Sequence, residues 1–219
     1  TPILDENGNV KRLIVIDTDI TDRKISEEII KQKNIDITDS IIYARRIQKA
    51  IMVPKKEVVK QLPGSFILYR PKDIVSGDVY YFSVTDSNVI LAVCDCTGHG
   101  VPGAFMSMIG NDILNQIVVE KGLTKPSEIL YNLHQGVKSA LRQEQEGVDT
   151  MDGMDIALCV FNKKSNKIQF AGAQRPLYIV NSGVHIFKAD NIGIGGEVSI
   201  KRNFTNHEYE LKKGDTFYI

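Results

Sequence analysis

The chain has 219 residues, of which 42% are hydrophobic and 25% charged, enough to bury the core of one domain with an appendage. Lysine plus arginine and aspartate plus glutamate balance at 27 each, which excludes the strong basic field of a dedicated nucleic-acid binder. No apolar run reaches membrane-spanning length and no signal-peptide pattern opens the chain, so the expectation is a cytoplasmic protein without membrane contact. The first residue is Thr rather than Met, so the expectation is a fragment, upstream of which membrane segments could lie. Cys94, Cys96 and Cys159 are odd in number and fit reduced, buried thiols, since Cys94-x-Cys96 lacks the spacing and the partner pair of a zinc site.

In chain order, residues 1–22 read as a hairpin: a strand, a turn at Asn7-Gly8-Asn9, and a second strand from Lys11 to Asp19 with a β-branched centre. Two strands cannot fold alone, so they belong to something larger. From Asp22 to about Val53 the pattern is helical, with Asp22 or Ser26 placed to cap the start and Pro54 to close the end. Ile30, Ile37, Ala44 and Ile51 recur at heptad spacing, joined by Ile41 and Ile47, and the opposite face is charged. Lys33 and Ser40 interrupt that seam. The pattern predicts an imperfect coiled coil that dimerises and passes a signal on, or else a helix lying on its own domain. Pro54 to Gly64, rich in lysine and bounded by prolines, reads as a linker.

Phe66 to Val84 contains two strands separated by Pro71 and by a turn at Ser76-Gly77, with Asp78 heading the second. After a turn at Thr85 to Asn88, Val89 to Asp95 is a nearly continuous apolar strand, the kind buried on both faces. Ala104 to Lys121 reads as a helix with Phe105, Met108, Ile109, Ile113 and Ile117 on one side and Gly122 as its stop, Met106 and Met108 being core filler. A second helix starts near Pro126 and Ser127, with an apolar stripe of Ile129, Leu133, Val137 and Leu141. Gln143 to Gly153 is polar and acidic. Strands follow at Met154 to Phe161, Lys167 to Ala171, Leu177 to Asn181 and Val184 to Lys188, with two more between Phe204 and Ile219. Strand runs on both sides of a helical pair argue an α+β domain built on antiparallel sheets.

Asp78 and Asp95 head and end consecutive strands joined by a short turn. Antiparallel pairing brings them to one sheet edge, where two carboxylates repel unless a cation or a proton compensates. Hard divalent cations take carboxylate, carbonyl and water oxygens and activate water for attack on phosphorus. Glycines at 98, 100 and 103 let backbone groups approach ions and anions closely.

Ile74-Val75-Ser76-Gly77-Asp78, followed by Val93-Cys94-Asp95-Cys96-Thr97-Gly98-His99-Gly100-Val101-Pro102-Gly103-Ala104, resembles the SpoIIE-like, or RsbU-like, branch of the metal-dependent protein serine/threonine phosphatases, the type two C superfamily. Gly153-Met154-Asp155-Ile156-Ala157 and Phe170-Ala171-Gly172-Ala173 fit its later strands, and Ala44 to Ile51 resembles the helix that precedes and switches such domains. Residues 1–22 resemble the last two strands of a PAS sensor domain, ending in Asp19-Ile20-Thr21-Asp22-Arg23-Lys24. The resemblance implies a PAS fragment at 1–22, a helical linker at 23–60 and a phosphatase domain at 61–219, an antiparallel β-sandwich flanked by helices.

It further implies two Mn²⁺ or Mg²⁺ ions, with Asp95 bridging them, the Cys96 carbonyl as a neighbouring ligand and Asp78 as another. A metal-bound water would then attack phosphoserine or phosphothreonine on a partner, such as an anti-sigma-factor antagonist, with no phospho-enzyme. The family supplies further metal carboxylates from a Ser-Asp-Gly motif and a late Asp, both expected beyond Ile219. The domain is therefore read as truncated, with poor metal affinity and activity. Gln174-Arg175-Pro176 stands where many relatives have a His-containing turn, and is read as a tolerated variation.

Other residues carry two readings each. His99 is a candidate general acid or neighbour of a ligand, and otherwise a loop histidine bonded to backbone. Asp152 and Asp155 flank a strand start near where related phosphatases hold a weak third metal, although turn chemistry accounts for Asp152 as well. Arg70 and Lys72 are candidates for the substrate phosphate, against a solvated strand end. His134, His185 and His207 show no constellation. The rival to a phosphatase is a catalytically incomplete signalling or scaffold module of the same fold that dimerises and binds a partner.

Overall fold

The computed structural model describes residues 2–13, 17–145, 151–196 and 203–219, and the backbone divides into two units, residues 1–40 and 41–219. The first unit holds strands β1 (Pro2–Leu4) and β2 (Val10–Leu13) and the first part of helix α1 (Thr21–Ile51). β1 and β2 pair antiparallel, Ile3 opposite Arg12, with a bulge before Leu4. The Asp5 carboxylate accepts the Asn7 and Asn9 amides at 3.0 and 2.8 Å, and Gly8 takes φ +81°, which closes the expected turn.

The second strand was expected to reach Asp19. Residues 17–20 carry no regular structure, and 14–16 lie outside the described residues. α1 begins at Thr21, whose amide is taken by the Asp19 carboxylate at 2.9 Å, so Asp19 rather than Asp22 or Ser26 satisfies a donor at the helix start. Arg23 with Glu27 and Gln32 with Asp36 line the helix surface at i,i+4 spacing. Ile25, Ile29, Ile30, Ile35 and Ile37 are 45–59% exposed.

The second unit continues with α2 (Lys55–Gln61), β3 (Val79–Val84), β4 (Asn88–Cys96), α3 (Gly100–Asn115), a π-helical turn (Gln116–Glu120), α4 (Pro126–Ala140), β5 (Gly153–Asn162), β6 (Lys167–Ala173), β7 (Leu177–Val180), β8 (Val184–Phe187), β9 (Ile194–Gly195), β10 (His207–Glu210) and β11 (Thr216–Tyr218). One sheet runs β10-β6-β5-β4-β3 with β9 added to β5, and a second runs β11-β7-β8, with every pairing antiparallel. Strand alternation sorts the side chains to the two faces. Ile156, Leu158 and Val160 of β5, with Ile90, Ala92 and Cys94 of β4, pack with α3, the π-helical turn and α4 through Leu114, Ile117, Ile129, Leu133 and Val137. Ala157 and Cys159, with Ile168 and Phe170 of β6, pack with Leu177 and Ile179 of the smaller sheet. The result is an α+β arrangement in which an antiparallel sheet pair carries helices on one outer face.

Three local expectations change. Pro54 to Gly64 is not a bare linker: α2 follows Pro54 and buries Val58 beside Phe82 and Val89, its lysines left on the exposed side. Phe66 to Arg70 forms no strand. Phe66 and Leu68 are exposed, Pro71 has no amide to give, and the Ile67 carbonyl accepts the Lys55 ammonium at 2.8 Å instead of a strand neighbour. α3 starts at Gly100 rather than Ala104, and Phe105 faces outward while Met106 lies in the core; Met108 is half-buried.

Candidate active site

The acidic edge follows from register. Val79 pairs with Cys94, so Asp78 continues β3 beside Asp95. Asp95 in turn pairs with Asp155 across β4 and β5. Cys94, Cys96 and Ile156 point into the helix layer, so alternation turns Asp95 and Asp155 to the opposite face, past the residues that the smaller sheet covers. Asp95, Cys96, Thr97, Gly153, Asp155 and Gly193 line a cleft of about 330 Å³.

Two loops frame this edge. Gly98 adopts φ +81°, a conformation that side chains with a Cβ resist. At Gly77 a Cβ would lie 2.7 Å from the Gly98 carbonyl and 3.2 Å from the Cys96 carbonyl, so only glycine lets the loop before Asp78 lie against the loop after Asp95. The Ser76 hydroxyl accepts the Asp78 amide at 3.1 Å. Thr97 binds the Gly153 carbonyl and amide, tying the end of β4 to the start of β5.

Gln48, buried near the end of α1, was not singled out in the sequence. Its amide nitrogen donates to the Ser76 carbonyl at 2.6 Å and to the Ser107 hydroxyl at 2.8 Å, and its amide oxygen accepts the Ser76 amide at 3.1 Å. One side chain thus joins α1, the loop carrying Asp78, and α3. A glutamine on an otherwise apolar helix face was the available signal.

Electrostatics at the edge are those of crowded acids. Burial first, then repulsion from Asp95, raises the Asp78 carboxyl above the usual carboxylate range. Asp155 is raised by burial and by Asp95, with Arg175 opposing. Burial and the charges of Asp95 and Asp78 push the Cys96 thiol up to about 12, so the thiol stays protonated and only its backbone carbonyl is a candidate ligand. Arg175, in the crossover from β6 to β7, donates Nη2 to Asp95 Oδ2 and holds Nε 3.6 Å from Asp155 Oδ2. Sequence reasoning passed over this residue as a tolerated variation. Nothing local marks a guanidinium 80 residues from Asp95 as its partner.

The other candidates separate. His99 directly precedes α3, and its Nδ1 lies 2.7 Å from Asp73 Oδ2, a carboxylate partner that the sequence did not suggest. Arg70 and Lys72 are exposed on the segment before β3 and make no ion pair with Asp78, Asp95 or Asp155. Asp152 is half-buried, and its carbonyl accepts the Gln143 amide at 2.6 Å. His134 is a core residue whose Nδ1 accepts the Gly195 amide at 3.0 Å. His207 stacks on Phe170, and His185 is exposed beside Tyr209.

The donor set at this edge is carboxylate and carbonyl oxygen, which suits a hard divalent cation, and the acids already hold one cation in Arg175. As placed, no group of three or more His, Cys, Asp or Glu side chains among the described residues converges tightly enough to hold a metal ion.

The antiparallel sheet pair with its acidic edge at the β3–β4–β5 end matches the fold of the PP2C class. Within it, the chain belongs to the SpoIIE family, whose profile, described as Stage II sporulation protein E (SpoIIE), matches residues 85–219. The chain is similar to phosphoserine phosphatase RsbU of Bacillus subtilis (strain 168), 25% identical over 189 residues that cover 84% of this chain and 52% of RsbU. It therefore spans about half the length of the curated relative it matches. Among solved structures, the SiaA-PP2C domain of Pseudomonas aeruginosa superposes with a TM-score of 0.74 at 31% identity, covering 84% of this chain and 71% of that one. RsbX, crystallised in complex with magnesium, shares the fold at a TM-score of 0.52, with 16% identity and 69% of each chain covered.

Proposed function

We propose that this chain is the output part of a signalling protein and removes phosphate from phosphoserine or phosphothreonine on a partner protein, with Mn²⁺ or Mg²⁺ as cofactor. The observation that carries the reading is the meeting of Asp78, Asp95 and Asp155 at one sheet edge within a SpoIIE-family fold. Two relatives support it by name: RsbU as a phosphoserine phosphatase and RsbX as a protein that binds magnesium. An anti-sigma-factor antagonist is the kind of partner this family reading favours.

Asp95, Asp78 and the Cys96 carbonyl are the proposed metal ligands, with Asp155 and Asp152 beside them. Divalent cations bound there would supply an activated water and offset charge on the phosphoryl oxygens. The contact of Asp73 with Nδ1 orients the His99 ring and leaves Nε2 as the atom placed to hand a proton to the leaving serine or threonine oxygen. Arg70 and Lys72, exposed ahead of β3, are suited to steer the phosphorylated segment. Residues 1–22 are read as the end of a PAS-type sensor, 23–60 as a helical linker that dimerises, and 61–219 as the phosphatase domain. The Gln48 bonds give the end of α1 a physical hold on the loop that carries Asp78.

The test is Mn²⁺-dependent hydrolysis of a chromogenic aryl phosphate by the natural full-length protein and its Asp95→Asn form. The expected loss in kcat is on the order of 100-fold or more, as for removal of one preorganised electrostatic group. Equal rates would discard the metal mechanism and leave the rival reading, a binding module with a phosphatase fold.

A further inference from the structure

Arg175 is the cation that the acidic edge already holds. Asp95 and Asp155 face each other across neighbouring strands on the same side of the sheet, and the guanidinium bonds to the first and sits 3.6 Å from the second. With no cation there, two carboxylates in register repel. A divalent ion drawn to the same oxygens would meet a positive charge in its place.

The backbone beneath Arg175 is fixed. Gln174 takes φ +64°, gives its amide to the Asp190 carbonyl at 2.9 Å and makes a parallel bridge to Ile156. A Cβ at Gly172 would collide with the Arg175 carbonyl, so this part of β6 accepts only glycine under the loop. The side chain is different: it is 49% exposed, and its described ionic partners are the two aspartates. A long, solvated arm on a rigid anchor can release its carboxylates without disturbing the fold. As a purely structural surface pair it would contribute little to stability.

We propose that Arg175 is a tethered counter-cation that holds Asp95 and Asp155 together and gives them up to an incoming divalent cation, so that metal binding is an exchange. This rests on the reading of Asp95 as a metal ligand. It makes Arg175 a positioning residue whose charge sets how much metal the site needs. A residue that merely braced the loop would have the opposite effect on metal affinity when removed, because a loosened carboxylate pair binds metal less well.

Calorimetric titration of the full-length protein with Mn²⁺ alone tests the exchange, using wild type, Arg175→Gln, Arg175→Lys and Asp95→Asn. Arg175→Gln should bind Mn²⁺ roughly three- to fivefold more tightly than wild type, the upper part of the range expected for removing one half-exposed competing charge. Arg175→Lys, which keeps the charge, should stay within about twofold of wild type. Unchanged or weaker binding by Arg175→Gln overturns the exchange, provided that Asp95→Asn has lost binding. If Asp95→Asn binds as wild type does, or if neither wild type nor Arg175→Gln binds, the metal site itself falls and the exchange with it. Circular dichroism of each variant reads out folding separately, and Arg175→Lys supplies a second comparison if Arg175→Gln is unfolded.

Discussion

Asp78 and Asp155 are acids held in their protonated form longer than in an open chain. Both are raised by burial, with Asp95 adding repulsion. Between the ordinary carboxylate value of 3.8 and their raised values, the folded state therefore binds more protons than the unfolded one. The sign follows: the stability contributed by these two groups is greatest at low pH, falls as pH rises through that window, and stays lower above it. Asp78→Asn removes one of the charges and should raise the melting temperature of the metal-free protein near neutral pH, with a smaller gain at pH 4. Thermal melts in the presence of a chelator check this. An equal gain at both pH values would assign the stabilisation to packing instead. Added Mn²⁺ should stabilise wild type more than Asp78→Asn, because the cation answers the same repulsion.

At the scale of elements, a buried side chain joins the end of α1 to the loop ahead of β3. Gln48 is 3% exposed and satisfies both the amide and the carbonyl of Ser76, with a third bond to Ser107. Gln48→Leu would leave those Ser76 groups buried without that partner, at a cost of about 1–3 kcal/mol. Chemical denaturation should show that loss, and Mn²⁺ affinity should fall with it because Asp78 follows Ser76 by two residues. Gln48→Glu keeps the acceptor but not the amide donors, so it should recover only part of the stability. A Gln48→Leu protein as stable as wild type would mean that water or a shifted loop replaces these bonds. The strand β5 illustrates the same scale differently. It is paired on both sides and alternates its buried residues between the helix layer and the smaller sheet, which is why its first acidic residue is held firmly opposite Asp95.

For the molecule as a whole, the open question posed by the fold is what covers the isoleucines of α1. Ile30 and Ile37 lie on the heptad seam and are more than half exposed, and Glu27, Ile30, Lys31, Asn34, Ile35 and Thr38 line a shallow groove on the helix. A second copy of the helix is the occupant that the proposed linker calls for. Ile37→Asp should then shift sedimentation-equilibrium profiles of the full-length protein from dimer toward monomer, by roughly tenfold or more in dissociation constant for a charge placed in an apolar seam. An unchanged dimer would move the contact elsewhere. No helix among the described residues is long and apolar enough to cross a membrane.

The sequence by itself determined the elements whose signals are local: the apolar stripe of α4, the alternating strands, the Asn7-Gly8-Asn9 turn, and the arrival of Asp78 beside Asp95, which needs only a short hairpin. Periodicity and turn chemistry act within a few residues, and they can be read without knowing the fold. It misjudged Phe66 to Arg70, whose alternation looks like a strand but has no sheet neighbour, and α2, whose one buried valine is too slight a pattern to separate from a linker. The tertiary structure alone decided the contacts of Gln48 with residues 28 and 59 positions away and of Arg175 with Asp95, 80 positions away. Those depend on strand order and on the crossover between two sheets, which bring distant residues together by packing and leave no repeat in the chain to announce them.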